Sequence, residues 1–129
     1  MKKMILLFSH RLSEEQREDA RLNWGVDTFV SLPDSLQELW QQMPPEQETI
    51  LPELEPFKAF LKEVVKADDL VLVQGDFGAT CHMVGFVRSL GAVPVYATTR
   101  REVIEIKTEE GIVQKRSLFQ HRRFRKYDG

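Results

Sequence analysis

Apolar residues form two kinds of pattern along this chain. Residues 4–8 and 70–73 are wholly apolar runs, which is typical of strands that helices cover on both faces. Residues 28–30 and 93–96 predict two further short strands. Between the strands, apolar side chains recur every three or four residues, as in helices that bury one face. This alternation predicts an α/β fold, a Rossmann-like parallel sheet flanked by helices.

Capping residues mark the ends of the helices. Ser13 and Gln16 predict a capping box that opens a helix over about residues 14–23. A second helix is predicted to begin near Asp34 and to stop before Pro44, because proline removes a backbone donor. The other predicted helices cover about residues 54–68 and 77–90.

The last quarter of the chain has a different pattern. Residues 103–107 and 112–119 flank a turn that contains Gly111, which predicts a C-terminal β-hairpin. A helix that continues through residues 103 and 104 is the less favoured alternative. Residues 121–127 either extend the last strand or pack against a partner.

Length and composition are typical of one globular domain over residues 1–129. Of these residues, 42% are hydrophobic and 29% are charged. The apolar runs are too short to cross a bilayer or to form a signal peptide, so no membrane partner is expected. Cys81 is the only cysteine, which excludes an intrachain disulfide and favours a cytoplasmic location. We expect Cys81 to be a small buried residue of the fourth helix.

The net charge of −2 conceals a basic C-terminal segment that contains no acidic residue between Gly111 and Tyr127. Its basic residues are Lys115, Arg116, Arg122, Arg123, Arg125 and Lys126. Lysine and arginine neutralise phosphates, so this segment indicates an anionic partner. A solvated face or a subunit interface is the alternative.

Polar side chains follow three of the predicted strands, at the carboxyl ends where open α/β sheets bind ligands. In chain order these candidates are Ser9, His10 and Arg11; Gln74, Gly75, Asp76, Phe77, Gly78 and Thr80; and Thr98, Thr99, Arg100 and Arg101. We expect the three groups to converge on one edge of the sheet.

The chemistry of these groups favours a phosphate-bearing ligand. Gly75 and Gly78 would let the backbone approach an anion at a helix N-terminus, although a glycine turn capped by Asp76 explains the same residues. Arg100 or Arg101 would clamp a phosphate, with solvated arginines as the alternative. Neither a dinucleotide fingerprint nor a Walker A loop is present. No residues have metal-site spacing, so no metal or other cofactor is expected.

Four segments carry a resemblance to a known family. They are Leu6-Leu7-Phe8-Ser9-His10, Gln74-Gly75-Asp76-Phe77-Gly78-Ala79-Thr80, Tyr96-Ala97-Thr98-Thr99-Arg100 and Phe124-Arg125-Lys126-Tyr127. Together they resemble a small single-domain CRISPR-associated family of type III loci, grouped with the ring nucleases. The resemblance covers nearly the whole chain, and the second segment is its most specific part.

The resemblance implies a CARF-like Rossmann homodimer that binds cyclic oligoadenylate, typically cyclic tetra-adenylate, across its two-fold axis. Such an enzyme opens the ring without a metal and so switches off type III CRISPR antiviral signalling. A ribose 2′-hydroxyl attacks the adjacent phosphate and leaves a 2′,3′-cyclic phosphate. No DNA partner is expected.

Position and chemistry then suggest a role for each candidate residue. Arg100, with Arg11 or Arg101 as alternates, would stabilise the phosphate charge, and His10 would act as acid or base. The residues expected to orient phosphate or ribose, to read adenine or ribose, or to line the loop are Ser9, Thr98, Thr99, Gln74, Asp76, Gly75, Phe77, Gly78 and Thr80. Two other functions stay open. One is a sensor or sponge that binds the messenger intact, and the other is a Rossmann-like nucleotide-binding or structural protein whose basic tail contacts nucleic acid.

Overall fold

Five strands form one mixed sheet in the computed structural model, which describes residues 1–129. The strands are β1 (Lys3–Leu7), β2 (Thr28–Ser31), β3 (Leu70–Val73), β4 (Val93–Lys107) and β5 (Val113–Lys126). The helices are α1 (Glu14–Trp24), α2 (Asp34–Gln41), α3 (Leu51–Val64) and α4 (Phe77–Ser89). The predicted α/β class, the flanking helices and the C-terminal hairpin are confirmed. The sheet is mixed because β5 runs antiparallel to β4.

The strands lie in the order β2-β1-β3-β4-β5, and the first four are parallel. In this order β2 lies on one side of β1, whereas β3 and β4 lie on its other side. The direction in which strands are added to the sheet therefore reverses after β2. At such a reversal, the loops after neighbouring strands leave toward opposite faces of the sheet and open a crevice at the carboxyl ends. In this sheet the reversal lies between β1 and β3.

Each face of the sheet has its own apolar core, as the wholly apolar β3 predicts. Val71 and Val73 face the larger core, in which α2, α3 and α4 bury Trp40, Phe57 and Met83. The opposite face of β3 belongs to a smaller core. That core is covered by α1 and by the base of β5, and its members include Met4, Leu6, Ala20, Leu70, Leu72 and Phe124.

The predicted helix ends are largely confirmed. Ser13 and Gln16 form the capping box: the Ser13 hydroxyl accepts from the Gln16 N–H at 3.2 Å, and the Gln16 side chain accepts from the Ser13 N–H at 2.9 Å. Gly25 ends α1 with φ 69°, a left-handed conformation that favours glycine. α3 begins and ends earlier than predicted, at Leu51 and Val64. It starts early because Pro52 fits in a first helical turn, where its missing N–H has no intrahelical partner to lose.

The predicted end of the fourth strand at residue 96 is wrong, because β4 continues unbroken to Lys107. The added residues include Thr98, Thr99 and Ile106, whose β-branched side chains suit a strand. β5 runs beside β4 as far as Lys126, so residues 121–127 mostly extend the last strand. We call the part of this hairpin that projects past β3, residues 98–120, the arm.

Asp69 joins the start of β1 to the turn before β3. Its side chain is 2% exposed and accepts hydrogen bonds from the N–H groups of Lys3 and Lys66, at 3.1 and 2.9 Å, while the Lys3 ammonium lies 3.0 Å away. Burial alone raises the pKa of Asp69, but these donors and the ammonium outweigh it and hold the pKa below its usual 3.8.

We therefore expect Asp69→Asn to lower the free energy of unfolding by about 2 kcal/mol near neutral pH. Because the pKa is lower in the folded chain, this stabilisation is present above the unfolded pKa and is lost as the pH falls through the folded value. Urea unfolding of both proteins at neutral and at strongly acidic pH measures the effect. Asp68→Asn is the matched control, since Asp68 is exposed and asparagine tolerates its φ of 72°. A loss at Asp69 that does not shrink in acid would contradict this prediction.

Candidate functional site

An open, polar cavity of about 530 Å³ lies at the carboxyl ends of β1 and β2. We call it the β1 cavity. Three of its lining residues, Ser9, His10 and Arg11, are the predicted group after the first strand, and Arg17 of α1 and Asp34 of α2 join them. His10 and Arg11 are exposed. The lining residues therefore include two serines, one histidine, two arginines, one aspartate and two glutamines.

Side chains of α2 hold the backbone of this cavity in place. The Gln37 amide donates to the Phe8 carbonyl at 2.8 Å, and the Gln41 amide donates to the Ser9 carbonyl at 3.1 Å. The His10 ring packs edge-on against the Phe8 ring, with centroids 5.6 Å apart. These contacts fix the segment that carries the candidate acid or base while leaving its imidazole accessible to a ligand.

The β1 cavity suits an anion and proton transfer. Its two arginines outnumber its one carboxylate, and guanidinium groups bind phosphate through paired hydrogen bonds. Histidine transfers protons near neutral pH. No three His, Cys, Asp or Glu side chains in the structure are grouped closely enough to hold a metal ion.

A second cavity, of about 650 Å³, lies between α4 and the C-terminal residues. We call it the α4 cavity. Four of the predicted residues line it: Gln74, Gly75, Phe77 and Thr80. The buried hydroxyl oxygen of Thr80 has no hydrogen-bond partner. The two cavities share no lining residue, so the groups after the first and third strands do not meet in one hollow.

Two tyrosines form one wall of the α4 cavity. The rings of Tyr96 and Tyr127 lie 4.8 Å apart, and the Tyr127 hydroxyl donates to the Val73 carbonyl. Burial, and then the neighbouring Tyr96, raise the pKa of Tyr127, so its hydroxyl keeps the proton that it donates. Arg88 of α4 also lines this cavity and donates to the carbonyl of Tyr127 at 2.7 Å.

Cys81 is exposed and lines the α4 cavity, so the expectation that it is buried is wrong. It lies on the outer side of α4, one helical turn from Gly85. No helix follows β4 to cover that side, because the chain returns directly through β5.

The structure explains two predicted ligand residues by packing. A Cβ at Gly75 would lie 2.7 Å from the Trp40 Nε1 atom, which donates to the Gln74 carbonyl at 2.8 Å. Asp76 accepts from the Ala79 N–H at 3.0 Å and caps α4. The alternative to a ligand-binding loop, a glycine turn with a capping aspartate, therefore accounts for both residues.

Gln74 also has a backbone partner. Its side-chain oxygen accepts from the Ala97 N–H at 2.7 Å and ties the end of β3 to β4. Gly78 lies in the first turn of α4, where an added Cβ would meet nothing closer than the Asp76 carboxylate at 3.4 Å. Packing therefore does not require glycine at residue 78.

The predicted group after the fourth strand lies on the arm. Its four members, Thr98, Thr99, Arg100 and Arg101, line neither cavity. Thr98 exchanges hydrogen bonds with the backbone of Arg123, and Arg101 donates to the Ser117 hydroxyl at 3.1 and 3.3 Å. These residues are separated from His10 because β4 continues as a strand and does not turn into a loop.

We expect Gly75→Ala to lower the free energy of unfolding by about 1–3 kcal/mol, because the new methyl group forces the Trp40 ring to move. Gly78→Ala is the matched control, and it should leave stability unchanged or raise it by up to about 1 kcal/mol. Thermal and urea unfolding measure both. Equal stability of the two variants would show that Trp40 has room to shift.

Sequence reasoning missed Arg17 and Asp34, which line the β1 cavity, and the two tyrosines of the α4 cavity. Arg17 follows the capping box on α1, and its guanidinium lies 5.0 Å from the centre of the Phe29 ring on β2. Nothing local to α1 identifies it as a cavity residue, because its place depends on how α1 lies across the sheet.

Known proteins match almost the whole chain. The family model described as the uncharacterized protein MJ1673 family matches residues 2–125. The uncharacterized protein MJ1673 of Methanocaldococcus jannaschii is 48% identical over 128 residues, which are 99% of this chain and 98% of that protein. The uncharacterized protein MJ1362 of the same organism is 36% identical over 72 residues, or 55% of this chain and 22% of that protein. No solved structure matches the chain.

Proposed function

We propose that this chain, which belongs to the MJ1673 family, binds a cyclic oligoadenylate and opens its ring at the β1 cavity. One observation carries the proposal: the cavity collects His10, Ser9, Arg11 and Arg17 around one open space. The sequence resemblance to type III CRISPR ring nucleases supplies the substrate class. With it come a CARF-like Rossmann fold, a homodimer and a cytoplasmic location. The structure contains no helix with the length and apolar character that a membrane crossing needs.

The proposed reaction is an internal transesterification. A ribose 2′-oxygen attacks the adjacent phosphorus, the bond from phosphorus to the 5′-oxygen breaks, and a 2′,3′-cyclic phosphate remains. The proton leaves the 2′-hydroxyl, and the departing 5′-oxygen gains a proton. His10 accepts or donates one of these protons. Arg11 and Arg17 stabilise the charge that builds on the phosphate oxygens, while Ser9 helps to orient the phosphate.

The α4 cavity supports a nucleobase contact in the same proposal. Its volume lies in the range of small-molecule sites, and its wall is largely apolar and aromatic. Thr80 lines the same cavity, and its hydroxyl oxygen has no hydrogen-bond partner within the chain. Phe77, which is 94% exposed, stands at the rim, where a ring can stack on it. Gln74 keeps a proposed base-reading role through the part of its amide that Ala97 leaves free.

Incubation with cyclic tetra-adenylate in the presence of EDTA tests the proposal. We expect linear products that end in a 2′,3′-cyclic phosphate, resolved by chromatography and identified by mass. A ring that stays intact at excess protein but binds tightly would replace the enzyme with a binding protein. Absence of binding would overturn the cyclic oligoadenylate assignment altogether.

A further inference from the structure

The arm leaves one long edge of β4 without a neighbouring strand. β3 pairs with β4 only from Val93 to Val95, and the Gln74 side chain caps the next N–H on that side, at Ala97. From there to Lys107, β4 has β5 on one side and no strand on the other. A free edge of this length is a template for another chain.

The arm also exposes more apolar side chains than is usual for a solvent-exposed β-hairpin. Its exposed large apolar residues are Val103, Ile104, Ile106, Ile112, Val113, Leu118 and Phe119. Phe119 is 67% exposed and Val103 is 57% exposed. A two-stranded ribbon is marginally stable by itself, and clustered exposed apolar groups mark an interaction surface. The arm is therefore expected to be covered by a partner.

Charge decides which edge of the arm accepts that partner. β5 forms the other free edge, and every charged residue on it is basic. Pairing of β5 with the same strand of a second copy would set like charges against each other. β4 carries both signs within the arm, with Arg100, Arg101 and Lys107 beside Glu102 and Glu105. Only the β4 edge is suited to pair with itself.

The hydrogen-bond pattern shows which residues face that edge. The Pro94 carbonyl accepts from the Tyr127 N–H at 3.3 Å, and the Thr108 N–H donates to the Ile112 carbonyl at 2.9 Å. Even-numbered residues of β4 thus direct their backbone groups toward β5. Because backbone groups alternate along a strand, the odd-numbered residues from 99 to 107 direct theirs toward the free edge.

Among the antiparallel registers that pair odd-numbered residues and are centred between residues 101 and 105, charge selects one. A two-fold axis at Val103 places Arg101 opposite Glu105 of the second copy, twice. An axis at residue 101 or at residue 105 sets like charges against each other. If residue 103 pairs with residue 105 of the second copy, Arg101 lies opposite Lys107. If residue 101 pairs with residue 103 of the second copy, Glu102 lies opposite Glu102. Both registers therefore bring like charges together. Within one chain, neither Arg101 nor Glu105 forms an ion pair.

We infer that two copies of this chain dimerise through the β4 edge of the arm, with Val103 opposite Val103 and Arg101 opposite Glu105. The contact is isologous, so the same patch serves both copies. This inference rests on the homodimer of the proposed function and specifies its interface. It does not depend on the identity of the ligand.

Two charge reversals test this register. Arg101→Glu alone and Glu105→Arg alone each set like charges opposite each other in the dimer, so each variant is expected to raise the dimer dissociation constant by about 10-fold or more. Mixed together, the two variants restore both opposite-charge pairs in a heterodimer. We expect native mass spectrometry and light scattering to show mainly monomers for each variant and a 1:1 heterodimer for the mixture.

Leu22→Glu is the matched control, because Leu22 is 73% exposed but lies on α1, away from the arm. This variant should dimerise like the parent chain. A monomeric parent chain, single variants that dimerise normally, or a mixture that stays monomeric would each overturn the inference. All of these measurements omit cyclic oligoadenylate, so their outcome is independent of the ring-opening assay.

Discussion

Replacing His10 with alanine is expected to slow ring opening by about 100- to 10,000-fold, the usual loss when a positioned acid or base is removed. His10 lines the β1 cavity, is exposed to a ligand and is held by its packing against Phe8. Because its proposed role is proton transfer, binding of cyclic tetra-adenylate should change much less than the rate. Single-turnover measurements, together with a binding titration, separate the two effects.

The matched control for this prediction is His82→Ala. His82 lies on α4 and lines neither of the two cavities, so ring opening should continue at the parent rate. The pH profile adds a readout that misfolding does not mimic, since loss of His10 should remove one limb of the rate profile. Equal rates for the parent and His10→Ala would exclude His10 as acid or base.

Replacing Arg11 with alanine is expected to lower the rate of ring opening by about 100- to 1,000-fold, as when one donor to a developing negative charge is removed. Arg11 shares the β1 cavity with His10, and its guanidinium is exposed. Arg100 was the first candidate on sequence grounds, but it lies on the arm and outside both cavities. The rates of Arg11→Ala and Arg100→Ala, compared in single-turnover assays, decide which arginine supports the charge.

A larger loss for Arg100→Ala would move the phosphate site from the β1 cavity to the arm. Arg11→Lys refines the comparison, because lysine keeps the positive charge but lacks the planar pair of donors. A rate for Arg11→Lys between those of the parent and Arg11→Ala would indicate that both charge and donor geometry contribute. A parent-like rate for Arg11→Ala would contradict the role proposed for this residue.

Local signals predicted those parts of the fold that depend on neighbouring residues. Ser13 and Gln16 are three positions apart, and their capping box forms as predicted. The apolar run of β3 has the predicted bounds, Leu70–Val73, because helices bury both of its faces. In each case, the residues that determine the structure lie within a few positions of each other.

The length of β4 was not predicted, because the arm lacks the alternation of buried and exposed residues that marks a strand in a sequence. Up to Val95 the strand is mostly buried, but the arm is exposed on both faces, so apolar and polar residues there do not alternate with a two-residue period. Charged residues such as Arg100 and Glu102 then resemble the end of a strand. Pairing with β5, far along the chain, is what keeps this segment extended.

Long-range packing also decided the roles of site residues. The sequence predicts Gly75 as a ligand contact, but Trp40, 34 residues from Gln74, fills the space beside it. No sequence signal pointed to Arg17, whose place in the β1 cavity depends on how α1 lies across β2. Such roles arise from three-dimensional contacts that a single sequence does not record.

The hydrogen bond between Asp19 and His121 links two parts of the molecule. The His121 Nε2 atom lies 2.7 Å from the Asp19 carboxylate, and both side chains are nearly buried, next to the β-bulge at Arg122. Asp19 belongs to α1, the same short helix that carries Arg17 into the β1 cavity. The base of the arm and the wall of the β1 cavity are therefore joined through one helix, α1.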